Sequence, residues 1–168
     1  MRKTTLICYQ FAWLAAVTLS VPLWADSGAN HQKTNNNYGV SAGNAKDSSR
    51  AFCCGGTAGA LLQAQGGPLL VLSNNHVFAR TDAAAVGESI IQPGLIDVGC
   101  RASSARVIGT LSAYPKLGTN VDAATAVLKS GTMNTAGYIE DVGQVAGTVA
   151  PAVGAAVAKS GRTTGLTT

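Results

Sequence analysis

Apolar positions in this chain cluster in short runs of roughly four to eight residues, bounded by Gly, Pro, Asn or Ser. From about residue 51 onward the runs are rich in Val, Ile, Leu and Thr. That pattern predicts strands over 57–64 and 68–72, joined as a hairpin through Gln65-Gly66-Gly67, and further strands near 88–92, 106–113, 122–129, 144–148 and 155–160. No segment sustains a 3.6-residue period, and only 75–80 reads as a short helical turn. No internal repeat is evident. Even spacing of short strands suits an antiparallel sandwich or barrel, so the fold class expected is all-β.

The two stretches before residue 51 break this pattern in opposite ways. Residues 1–25 carry Arg2 and Lys3, then a mostly apolar, uncharged run from Leu6 to Leu23, and Ala25 at the place of a cut. This is the layout of an export signal peptide, and it places the working protein outside the cytoplasm, secreted or periplasmic. A membrane anchor flanked by Trp13 and Trp24 is the competing reading. Tyr9, Gln10 and Pro22 interrupt the run and favour cleavage, so no stable membrane span is expected once the signal is removed. Residues 26–50 are polar, with Asn35-Asn36-Asn37 and several Gly and Ser, and read as a flexible leader.

Composition narrows the function classes. Charged residues make up 12%, about half the usual share of roughly 25%. Loss of Arg2 and Lys3 with the signal takes the formal net charge from +4 to +2. The remaining cations are scattered singly, without the basic stripe that neutralises phosphates, so no nucleic-acid partner is expected. No Gly-rich phosphate loop stands at a strand–helix junction, and no cofactor is implied. Oligomeric state is not legible.

Removal of the signal, and Cys8 with it, leaves Cys53, Cys54 and Cys100. An oxidising compartment favours one disulfide and one spare thiol. Neighbouring cysteines rarely bond to each other because their Cα atoms are held too close. Cys100 is therefore expected to pair with either Cys53 or Cys54. A zinc site built from these thiols and His76 lacks the C-x-x-C or H-x-x-x-H spacing such sites use, so no metal is expected.

The chain has two histidines. His31 lies in the polar leader, whereas His76 closes the apolar run "LLVLSNNHVFAR". A histidine held at the end of a strand can act as a base if an acceptor fixes its tautomer. "TNVDAATAVL" offers one, with Asp122 opening an apolar strand where a carboxylate invites a donor. The bland alternatives are a structural histidine and an aspartate that closes a turn with Asn120.

These segments resemble, in order, pieces of chymotrypsin/trypsin-fold serine proteases. "VLSNNHVF" is similar to the strand that leads into their catalytic histidine, and "VDAATAVL" to the strand bearing their catalytic aspartate. "FCCGGTAGALL" fits the strand before the histidine hairpin, and "GAAVAKSGRTTGLTT" resembles the start of the second barrel in bacterial secreted, α-lytic-like members. "GVSAGN" resembles the G-x-S-x-G-N leader of a mostly bacterial trypsin-like group. The likeness runs from about Gly39 to the end. It implies a double β-barrel, with a first barrel over 51–142 and the start of a second over 143–168. It also implies His76 as general base, Asp122 as its orienting carboxylate, and a protein or peptide substrate.

The nucleophile is missing from this pattern. In the family it follows the "SGRTTG" strand, in a G-D-S-G-type turn, and no such turn occurs before Thr168. Ser27 in Asp26-Ser27-Gly28 precedes His76, and Ser160 lacks a preceding Gly-Asp. The expectation is therefore an N-terminal piece of a secreted serine endopeptidase, inactive alone. The competing expectations are a non-catalytic β-barrel binding module on a protease-like scaffold and an exported structural β-domain with a fortuitous His–Asp match.

Overall fold

A computed structural model describes residues 36–168 of the 168-residue chain. The predicted signal peptide, His31, Ser27 and the first part of the predicted leader lie outside the described residues. Seven strands form one antiparallel sheet: β1 (Val40–Asn44), β2 (Gly56–Ala58), β3 (Ala60–Gln63), β4 (Leu69–Ser73), β5 (Ser89–Gln92), β6 (Arg106–Ala113) and β7 (Ala124–Leu128). Their order is β2-β1-β5-β6-β7-β4-β3. A single helical turn, α1 (Asn75–Phe78), follows β4, and 3-10 turns occupy Leu95–Val98 and Ala102–Ser104.

The two ends of that sheet nearly meet. β2 and β3 are halves of one extended stretch, interrupted at Gly59; the first half pairs with β1 and the second with β4. Across the break, Gly59 N–H donates to the Leu72 carbonyl at 2.8 Å, and Ser73 Oγ donates to the Thr57 carbonyl at 2.7 Å. A Cβ at position 59 would stand 3.1 Å from that Leu72 oxygen, so glycine suits the corner at which the sheet turns back on itself. The architecture is a nearly closed antiparallel barrel, which leaves few exposed edges.

Its interior is lined by Tyr38, Ala42, Ala58, Val71, Phe78, Ile90, Ile108, Leu111 and Ala126, all essentially inaccessible to solvent. β5 buries both Ile90 and Ile91 because consecutive strand residues face opposite sides and both sides are covered. Ile90 enters the barrel interior and Ile91 a smaller cluster with Cys53 and Leu95.

Several predicted boundaries need correction. The leader expected over 26–50 contains β1, whose five residues are all buried. Its polar members Ser41 and Asn44 hid the strand from a pattern reading, because their partners Asp97 and Glu88 lie far along the chain. The strand expected over 57–64 is divided at Gly59. The one expected over 144–148 shrinks to β9 (Gly143–Gln144), paired with β8 (Tyr138–Ile139). The one expected over 155–160 becomes β10 (Lys159–Gly161), paired with β11 (Gly165–Thr167). Between these ribbons Val149, Val153 and Val157 are exposed.

Candidate functional site

The chain leaves the barrel at Ser73 and makes one tight turn. Asn74 is extended (φ −84°, ψ 153°) and its carbonyl accepts from Val77 and Phe78 N–H at 3.2 and 3.0 Å. Val77 and Phe78 are buried, and this anchoring turns His76 outward, with 56% of its side chain exposed. Gly56 lies directly beneath, where a Cβ would come within 2.5 Å of Val77 Cγ2.

Asp122 meets His76 from the β6–β7 connection. His76 Nδ1 lies 2.6 Å from Asp122 Oδ2, and His76 N–H donates to Oδ1 at 3.2 Å. Asn74 Nδ2 donates to the Asp122 carbonyl at 2.9 Å. A carboxylate so placed selects the tautomer with the proton on Nδ1, which leaves Nε2 to accept. Partial burial pushes the Asp122 pKa up, but hydrogen bonds from the His76 ring and backbone, the imidazole charge and the Asn75 N–H outweigh it. The carboxyl is held below its ordinary range and is ionised at neutral pH. One expectation is corrected: Asp122 precedes β7 rather than opening it, and its side chain is 39% exposed.

Other residues shape this site without having been legible as site residues. Asn75 is fully buried; its Nδ2 donates to Asp82 Oδ1 and to the Pro115 carbonyl, each at 2.7 Å. Arg80, Thr81 and Asp82 adopt φ of 51°, 55° and 68°, a left-handed run that costs about 1–2 kcal/mol per residue. Arg80 Nε donates to Glu88 Oε2 at 3.1 Å and its NH2 group to Oε1 at 2.8 Å, and Asn44 Nδ2 donates to the same carboxylate at 2.9 Å. Burial raises the Glu88 pKa, yet the Arg80 and Asn44 bonds and the Arg80 charge bring it below the usual carboxylate range. Asp47 lies within electrostatic reach of His76 and Arg80; burial raises its pKa while both cations oppose that shift. No strand or helix period marks these groups: Arg80 and Glu88 meet within the connection between α1 and β5, and Asn44 and Pro115 reach them from elsewhere in the chain.

Cys53 is the partner of Cys100, with Cα atoms 5.5 Å apart, and Cys54 stands outside the disulfide. Ser160 does not join His76 in a nucleophile–base bond; its Oγ donates to the Gly39 carbonyl at 3.4 Å. The β10–β11 hairpin is clamped to the barrel by Arg162. Its Nε donates to Asp97 Oδ2 at 2.9 Å, its NH2 group also reaches Asp97, and Ser41 Oγ donates to the same carboxylate at 2.5 Å. A groove of about 450 Å³ runs between this hairpin and the barrel, and Asp122, Ser73, Thr57 and Lys159 are among its walls.

Among the described residues no three His, Cys, Asp or Glu side chains gather as metal ligands, and no helix is long and apolar enough to cross a membrane. The chain matches no protein-family model, no curated protein and no solved structure.

Proposed function

We propose that this chain carries the base and the orienting carboxylate of a secreted or periplasmic trypsin-like serine endopeptidase. The observation that carries the reading is the 2.6 Å approach of His76 Nδ1 to Asp122 Oδ2, reinforced by the His76 N–H on the other carboxylate oxygen. Nδ1 is the ring nitrogen engaged by Asp122, and more than half of the His76 side chain is exposed. In the proposed reaction Nε2 takes the proton of a serine hydroxyl as that oxygen attacks the peptide carbonyl. The proton then passes to the leaving amine, while Asp122 stabilises the imidazolium formed between the two steps.

The barrel supports the reading only at the level of architecture. The double barrel, with the β8–β9 and β10–β11 ribbons as beginnings of the second, belongs to the proposal. So does the nucleophile, expected in a G-D-S-G-type turn encoded after Thr168. Under this reading residues 1–168 alone do not hydrolyse peptides, since nucleophile and oxyanion donors act together with the base.

The test is to sequence and express the complete open reading frame and to assay peptide hydrolysis with and without His76→Ala. The expected result is a serine-directed label on the G-D-S-G serine and a fall in kcat of about 10⁴-fold or more in the variant. Hydrolysis unchanged by His76→Ala overturns the assignment. A stop codon after Thr168, with no turnover, leaves a binding module on this scaffold.

A further inference from the structure

His76 and Asp122 are both substantially exposed, and an exposed ion pair gains little against water and salt. Their close geometry needs support from behind, where Asn75 lies fully buried beside His76. Its Nδ2 donates to Asp82 Oδ1 and to the Pro115 carbonyl, and its Oδ1 accepts from Asp82 N–H at 3.1 Å. The Asp82 carboxylate also accepts from Leu117 N–H, at 3.3 Å through Oδ1 and 3.1 Å through Oδ2. Pro115 and Leu117 belong to the β6–β7 connection, the segment that delivers Asp122. One buried amide and one carboxylate therefore join the turn that holds His76 to the loop that holds its partner.

We infer that Asn75 and Asp82 are positioning residues: their shared hydrogen bonds set the spacing between the His76 turn and the Asp122 loop, so that imidazole and carboxylate meet through a prearranged backbone. The left-handed run at Arg80–Asp82 fits this role. It brings the Asp82 side chain and N–H back onto Asn75, and the bonds at both its ends hold it there. Neither residue touches reacting atoms. The inference deepens the proposed function and rests on it for the meaning of the pair as base and carboxylate.

The test reads the pair itself and not hydrolysis. In the 168-residue chain, NMR follows the carboxyl carbon of Asp122 through its titration and the Nδ1-bound proton of His76. Asp82→Ala is expected to lose the His76 proton line to exchange broadening and to move the Asp122 midpoint up, removing most of its depression. Asp82→Asn keeps an oxygen for Asn75 and Leu117 and is expected to behave as the parent. Asn75→Ala should repeat the effect of Asp82→Ala; if it does not fold, Asp82→Ala, on a less buried loop residue, decides alone. A folded Asp82→Ala chain with a lower Tm but an unchanged Asp122 midpoint and His76 line overturns the inference, because the network is then scaffolding only. A complete gene product without peptidase activity overturns the proposed function instead and leaves this result standing.

Discussion

Asp122 contributes to stability through its charge, so its effect depends on pH. Burial acts to raise its pKa and the His76 contacts lower it by more, which places the folded value below the ordinary 3.8. Its contribution is therefore complete above 3.8 and fades as pH falls through the lower folded value. Because the side chain is 39% exposed, solvent limits the effect to about 1 kcal/mol or less. Asp122→Asn should be less stable than the parent by that amount at neutral pH, with the gap closing in acid; urea unfolding on both sides of 3.8 checks it. Tyr38 presents the opposite case. It is completely buried, its hydroxyl has no hydrogen-bond partner among the described residues, and burial raises its pKa to about 12. Leaving such a group unpaired costs about 1–3 kcal/mol, so Tyr38→Phe is expected to raise Tm. A fall in Tm would show that the hydroxyl is satisfied in solution.

Between elements, two contacts govern how α1 and the β10–β11 hairpin sit on the barrel. The turn α1 rests on β2 through Val77 against Gly56, with no room for a methyl group. Gly56→Ala should displace Val77 and the His76 turn at a cost of about 1–3 kcal/mol, and Val77→Ala in the same chain should recover part of it. Thermal unfolding of the two single variants and the double variant measures that coupling. The β10–β11 hairpin depends on the Asp97–Arg162 pair, whose side chains are 4% and 16% exposed. Removing one member of a buried pair strands the other, at a cost of about 3–5 kcal/mol. The hairpin can escape that cost by detaching and carrying Arg162 into water. Asp97→Ala is thus expected to speed amide exchange and proteolysis within 159–168 while β4 and β7 stay protected. Equal acceleration throughout the chain would show that the pair holds the whole barrel.

Across the whole molecule, the Cys53–Cys100 bridge acts on the unfolded chain, closing a loop over a sequence separation of 47. Chain entropy puts that restraint at about 4 kcal/mol. The double variant Cys53→Ser with Cys100→Ser should lose stability of that order in urea unfolding, and a loss well below it would point to residual structure in the unfolded parent.

The strands with strong alternation or β-branched content were legible in the chain: β4 and β6 fall within a residue or so of their predicted bounds, and the turn 75–80 contains α1. So were His76 and Asp122 as a candidate pair, because a histidine after a buried strand and an acid expected to open another are local signals, although Asp122 falls two residues before β7. β1 was not legible, since Ser41 and Asn44 look solvent-facing until Asp97 and Glu88 arrive to pair with them. The supporting groups Asn75, Asp82 and Arg80 were hidden for another reason. Asn75 with Asp82 and Arg80 with Glu88 are only seven and eight residues apart, but they meet in a connection with a left-handed run at 80–82 that no strand or helix period announces. The choice of Cys53 over Cys54 also waited for the fold, because two adjacent thiols differ in direction and not in sequence distance from Cys100. Local pattern determines which segments extend and where they turn, since pleat and turn chemistry act over a few residues. Which polar groups can be buried, and which two loops meet, is decided only when distant strands close the barrel, because each such group depends on a partner that the chain order keeps far away.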